Sequence, residues 1–231
     1  MDTQRPPRPD TKTRILDVAE RLFALAGFKR TSIKRLACAA GVNQAAVNYH
    51  FGSKAALIEK VIERRMGPIN RQRIQRIEAV RRGAATQGRR PRAEDLLHAF
   101  IAPAFAMNGS VEGKTYFLTI AGRAVSEPDA AIRTIFVEQI KPPFMLLFQA
   151  MREALPDMPE KLLLRRLHLA IGSMNHCMGL CSVNLLPPDL FPPVDDLESM
   201  TDLLLDFVAS GMKAPHYREN EPPLIASRRP S

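Results

Sequence analysis

Gln44, Ala45, Ala46 and Asn48 carry the first chemical signal in this chain. A side-chain amide donates and accepts together, as an adenine edge requires, and an alanine methyl can meet a thymine methyl. Tyr49 and His50 follow directly, and Lys54 comes shortly after. A phenol, an imidazole and an ammonium are all donors that suit phosphate oxygens. Thr31, Ser32 and Lys34, a little upstream, add two hydroxyls and another cation. Phosphate-holding donors around small base-reading side chains are the chemistry of a double-stranded DNA interface. Each alone has a plainer reading, since a single Tyr or His at a helix end usually packs or caps. The combination carries the inference. Arg5 and Arg8 could enter a minor groove as a basic arm, or belong to a merely disordered tail.

No comparable set supports an enzyme. Cys38 falls on the inner part of a short helix, as a small core residue would. His168 and His176 stand two helical turns apart, with Cys177 and Cys181 nearby and no carboxylate in the stretch. That spacing makes no convincing metal site, so neither metal nor cofactor is expected. Three cysteines without even pairing suit a reducing cytoplasm. The polar, proline-rich N-terminus carries no secretory signal and no run reaches a membrane span, so no membrane partner is expected.

These groups need elements to hold them. The first nine residues read as a flexible tail. Asp10 or Thr11 can cap a first helix whose apolar stripe includes Ile15, Val18, Ala19, Leu22 and Phe23, and Gly27 ends it. Thr31 or Ser32 caps a second helix, Gly41 supplies a left-handed turn, and Asn43 caps a third that runs to about His50. A long fourth helix begins near Ser53 or Lys54. Gly67-Pro68 predicts a kink or break in it, with helical spacing resuming over Arg71–Arg82. Residues 83–92 read as a loop. Further helices are expected over about 93–107, 113–125, 129–155, 159–185 and 195–212, with Pro142-Pro143 distorting the third of these. Residues 185–196 form a proline-rich connection, and a second flexible tail covers 214–231. No strand alternation or hairpin signal is present. The fold class is all-α: a three-helix DNA-binding domain with a helix-turn-helix over 10–56, and a larger helical ligand-binding and dimerisation domain over 57–213.

Charge follows the same division. Residues 1–92 hold 21 Lys+Arg against 7 Asp+Glu, and residues 93–231 hold 12 against 17. A basic head beside an acidic body suggests a polyanion partner, although charge alone fits a solvated face equally well.

The body is rich in large, adaptable apolar side chains. Phe100, Phe105, Met107, Phe117, Leu118, Phe144, Met145, Phe148, Met174 and Met178 either fill a core or line a pocket. An acyl chain would fit such a lining, with Arg123 or His168 holding a carboxylate. Small residues in IGSMNHCMGLCS (171–182) would let two helices approach closely, so the last two long helices are the expected interface of a homodimer. Such a dimer could set two recognition helices into half-sites about one helical turn apart.

The runs ILDVAERLFALAGF (15–28), TSIKRLACAAGVN (31–43) and NYHFGSKAAL (48–57) resemble the TetR family of bacterial transcriptional regulators over about residues 10–65. By that resemblance, base reading maps to Gln44, Ala45, Ala46 and Asn48, and phosphate binding to Thr31, Tyr49, His50 and Lys54. Asn48 stands where the family often has tyrosine. AVNYHFGSKAAL, MGPINR and VASGMKA are together similar to a subgroup that includes fatty-acid-responsive regulators of pseudomonads. The resemblance implies a homodimeric, cytoplasmic repressor, released from its DNA operator when a small apolar ligand such as a fatty acid or acyl-CoA binds the C-terminal domain. A constitutive DNA-binding protein without an effector is the alternative.

Overall fold

A computed structural model describes residues 10–106, 116–117, 119–121, 129–180 and 197–215. Eight long elements are found there, and no strand occurs among the described residues. They are α1 (Thr11–Arg30), α2 (Ile33–Ala40), α3 (Gln44–Phe51), α4 (Lys54–Thr86), α5 (Ala93–Phe105), α6 (Ala130–Ala154), α7 (Glu160–Leu180) and α8 (Leu197–Lys213). Most of the helix expected over 113–125, the connection over 185–196 and nearly all of both tails lie outside the described residues. So do Arg5, Arg8, Met107, Leu118, Arg123 and Cys181.

The starts of the first four helices follow from their caps. Asp10 accepts from the Thr13 N–H at 2.7 Å, Ser32 from Arg35 at 3.1 Å, Asn43 from Ala46 at 2.7 Å and Ser53 from Ala56 at 3.1 Å. Each bond satisfies one amide that a helix start otherwise leaves open. Ser32, not Thr31, is thus the cap of α2. Gly27 interrupts α1 with φ 80° and ψ 165°, a conformation that a side chain would resist.

At three expected interruptions the helices run further than the sequence suggests. α4 runs without interruption through Gly67-Pro68. Pro68 is exposed, so water can take up the carbonyl left without a helical donor. α4 also continues to Thr86, which takes up the first four residues of the expected 83–92 loop. α6 likewise continues through Pro142-Pro143. Pro143 is buried, and its missing N–H would have bonded the Gln139 carbonyl. That carbonyl instead accepts from Asn70 Nδ2 of α4 at 2.6 Å. A side chain from another helix therefore closes the gap in the ladder.

One hydrophobic cluster runs from Ile15 in α1 to Met212 in α8. α4 joins its two ends. Early in α4, Leu57, Ile58, Val61 and Ile62 are buried in the part that packs on α1; further along, Ile69 and Ile77 are buried where α4 meets α5 and α6. The boundary expected between residues 56 and 57 falls inside this helix, which packs on α1 as well as on α5 and α6. Phe28 of α1 adds an edge contact to Phe136 of α6 at 6.1 Å between ring centroids. At the far end, α8 packs on α5 and α7. There Arg166 of α7 donates to the Met212 and Ala214 carbonyls at 2.7 and 2.6 Å, closing the C-terminal end of α8.

Candidate nucleic-acid interface

α2 and α3 form a compact pair. Leu36, Ala37, Ala40, Val47 and Phe51 are buried, fixing both helices against the cluster. The turn between them closes through Gly41, at φ 63° and ψ 40°. The Gly41 N–H bonds the Cys38 carbonyl at 3.1 Å, and the Val42 N–H bonds Ala37 at 3.0 Å. A left-handed residue with this bonding is a tight helix stop, and glycine adopts it at the lowest cost.

The opposite face of α3 points to solvent. Gln44, Ala45, Asn48, Tyr49 and His50 are exposed and Ala46 is half-buried. Tyr49 is 87% exposed, with its ring edge-on to His50 at 5.3 Å. An aromatic ring left so open in the free chain is available to a partner. Lys54 is half-buried in the first turn of α4, where amides lack helical partners and the dipole favours an anion. Ser32 and Lys34 are exposed at the start of α2. Exposed Lys29, Arg30 and Arg35 extend the cationic surface. These three lie outside the set expected from sequence, although their charge and position beside the α2 cap are visible there.

Thr31 is a correction. It is 1% exposed, and its hydroxyl donates to the Gly27 carbonyl at 2.9 Å and approaches that of Leu22 at 3.3 Å. Its side chain ties the end of α1 to the start of α2 and is not available to a phosphate.

The positions expected to meet a ligand divide into two groups. Phe100, Phe105, Phe117, Phe148, Met174 and Met178 are all buried in the one hydrophobic cluster, and Phe144 is half-buried against it. His168 lies apart from them and is exposed. Its Nδ1 lies 2.7 Å from the Leu164 carbonyl, and its ring lies 5.6 Å from that of Phe144. His168 lines an open groove between α7 and α8 with Leu169, Gly172, Ser173, His176, Cys177, Met200, Leu203, Leu204 and Phe207. Burial pushes the Cys177 thiol above its ordinary pKa, which makes it a poor nucleophile. Among the described residues, no group of His, Cys, Asp or Glu could hold a metal ion.

Two interior polar residues escape the sequence reading. Asn70 and Arg73 lie in α4, 8% and 2% exposed. Arg73 donates from Nε to the Phe100 carbonyl at 2.8 Å and from Nη1 to Asn70 Oδ1 at 3.2 Å. Its guanidinium carbon sits 4.2 Å from the Phe100 ring centroid. The signal was present: Arg73 occupies the helical stripe of Ile62, Met66, Ile69 and Ile77, where an apolar residue belongs.

Comparison with known proteins agrees with this architecture. The family description "Bacterial regulatory proteins, tetR family" matches residues 15–61, and "Tetracyclin repressor-like, C-terminal domain" matches residues 98–211. The transcriptional repressor KstR2 of Rhodococcus jostii is 33% identical over 63 residues, 25% of this chain and 31% of that protein. The transcriptional regulator AcrR of Shigella flexneri is 43% identical over 54 residues, 23% of this chain and 25% of that protein. The matched segments thus span less than a third of either curated relative. Among solved structures, the transcriptional regulator FadR of Bacillus subtilis, in complex with stearoyl-CoA, superposes with a TM-score of 0.64 at 16% identity. The match covers 86% of this chain and 98% of that one. At that identity the likeness is one of fold.

Proposed function

The chain belongs to the tetR family of bacterial regulatory proteins, and from that premise we propose that it is a homodimeric repressor released from its operator by an apolar, acyl-type ligand. The family and its neighbours are transcriptional regulators, not enzymes. The observation that carries the reading is the outward face of α3. Gln44, Ala45 and Asn48 are exposed base-reading candidates, and Tyr49, His50 and Lys54 flank them for phosphate oxygens.

A single head gives little specificity, and a symmetric pair reads two half-sites. The groove between α7 and α8 supports a second copy of the chain as its occupant. Leu169, Leu203 and Phe207 are 71%, 65% and 68% exposed there, and Gly172 and Ser173 allow close helix approach. Acyl chemistry is supported by the aromatic and methionine-rich interior, and by the stearoyl-CoA held by the B. subtilis neighbour. Release requires that the ligand bind the DNA-incompetent arrangement better than the competent one.

The test is binding to the upstream DNA of its own gene across a salt series, with and without long-chain acyl compounds. Affinity should fall steeply with salt through counterion release, and an acyl compound should free the DNA. DNA binding indifferent to every such compound would remove the effector from this reading.

A further inference from the structure

Arg73 has no task in DNA reading or in the α7–α8 groove, yet it is the most thoroughly buried cation described, at 2% exposed. A buried charge is normally paired. Among the described residues no carboxylate pairs with Arg73; its partners are the Phe100 carbonyl, the Asn70 amide oxygen and the Met174 thioether, the last at 3.6 Å from Nη2. A thioether is a weak acceptor, and a guanidinium carries five N–H donors. The Nη edge is therefore under-used, in apolar surroundings built from Phe100 and Met174. Burial lowers the pKa of Arg73 to about 9, so the group is still a cation at neutral pH. The other arginine clusters differ: Arg81 with Glu153 and Arg152 with Glu160 are already ion-paired at the surface.

We propose that Arg73 is the anion-recognising residue of the effector site, its Nη edge taking the carboxylate or phosphate of an amphiphilic ligand in place of Met174 Sδ, with the apolar tail in the Phe- and Met-lined interior. This rests on the reading of the chain as a ligand-released regulator, and narrows the ligand to an anion. The location also gives the signal a route. Arg73 binds α5 through Phe100, and through Asn70 it is linked to the Gln139 carbonyl of α6. A ligand that draws the guanidinium off these partners loosens α4, the helix that starts beside the recognition helix. A coupling of this kind changes DNA affinity by about 5–150-fold.

The experiment uses the full chain and a genomic DNA fragment selected by the protein itself. Palmitate, palmitoyl-CoA, hexadecanol and hexadecyltrimethylammonium are each tested, below their micelle-forming concentrations, for a shift in Tm and for release of the DNA. Palmitate or palmitoyl-CoA should raise Tm and release DNA, and which of the two acts separates a carboxylate from a phosphate-bearing head. Hexadecanol and the cation should do neither. Arg73→Met loses the bonds to Phe100 and Asn70 that a ligand would draw away, so ligand-free DNA binding should weaken, while anion affinity, read from the Tm shift, falls at least about tenfold. Arg73→Lys should retain the preference for anions over hexadecanol, more weakly. Equal responses of the wild type to palmitate and hexadecanol would overturn the assignment whatever the variants do. So would a lower Tm in Arg73→Met with its anion response intact, which would make Arg73 a structural bridge only. A wild type that binds DNA but none of the four compounds overturns the anion site and leaves the DNA reading standing. Failure to select any DNA fragment strikes instead at the regulator reading itself.

Discussion

Glu20 Oε1 of α1 and Arg65 Nε of α4 meet at 2.7 Å, with Glu20 2% exposed. Beside them Arg64 Nη1 lies 2.7 Å from Asp17 Oδ1, an ion pair nearer the surface. The two pairs clamp the DNA-reading head to the helix that leaves it. A clamp made of charges has a direction as well as a strength, since each partner fixes where the other can sit.

Removing the Glu20 carboxylate should therefore be felt. Glu20→Ala leaves Arg65 without its partner, but Arg65 keeps some access to water, so we expect a loss of about 1–3 kcal/mol in urea unfolding. Burial, against the opposing pull of Arg65, raises the Glu20 pKa above 4.5. Folding thus favours the protonated acid. The stabilisation from that proton is complete below 4.5 and fades as pH rises through the folded value. Glu20→Gln should flatten this stretch of the stability profile. An unchanged profile in Glu20→Gln would show that the carboxyl does not titrate as its burial demands.

Exposed residues on α3 should separate affinity from stability. Asn48→Ala and Tyr49→Phe should each leave Tm within about 0.5 kcal/mol equivalent of the wild type. Asn48→Ala should relax discrimination at one base pair by about 1–3 kcal/mol. Tyr49→Phe should weaken binding evenly across sequences, the mark of a phosphate contact. Fluorescence anisotropy on the selected site and on single-base variants distinguishes the two patterns.

A double-mutant cycle tests the Asn70–Gln139 bond. Asn70→Ala strands a part-buried carbonyl that Pro143 cannot serve, and should cost about 1–3 kcal/mol. In a Pro143→Ala background the backbone regains its own N–H at that position. The same Asn70 change should then cost less, giving a coupling of about 1 kcal/mol. Additive effects would mean that the two residues act independently.

The α7–α8 groove makes a prediction about assembly. Phe207→Glu puts a charge on an exposed apolar face, so it should not harm the fold of the single chain. Sedimentation should show a shift from dimer to monomer, and operator affinity should fall by at least tenfold, since one half-site is lost. A dimer that survives Phe207→Glu and Leu203→Glu together would require a different interface.

Much of the head is legible in the sequence because its determinants are local. Ser32, Asn43 and Ser53 each cap the helix that begins next to them, and Gly41 makes the turn by its own backbone freedom. Breaks are less legible for the opposite reason. Pro143 predicts a distortion only until Asn70, 69 residues before the Gln139 carbonyl that it serves, supplies the missing donor. Pro68 is harmless because it faces water. Thr31 shows the same limit on a smaller scale: its type suggests a phosphate ligand, but the chain reversal after Gly27 turns its hydroxyl inward. The interior is the least legible part, because the meaning of Arg73 depends on which charges are absent around it.

On the proposed ligand-released reading, the continuity of α4 sets how sensitively the head can respond. At 1.5 Å per residue, Ser53 lies about 25 Å from Asn70, where the helix is anchored to α6. A tilt of only about 5° around that anchor, carried along an unbroken rod of this rise, displaces the start of the helix by about 2 Å. Two protomers tilting symmetrically change the distance between their recognition helices by about 4 Å, more than the 3.4 Å rise per base pair along one strand. A jointed α4 would dissipate such a tilt at the joint. An unjointed one makes the register of two half-sites an angular measurement, in which a few degrees inside the body amount to a whole base pair on the DNA.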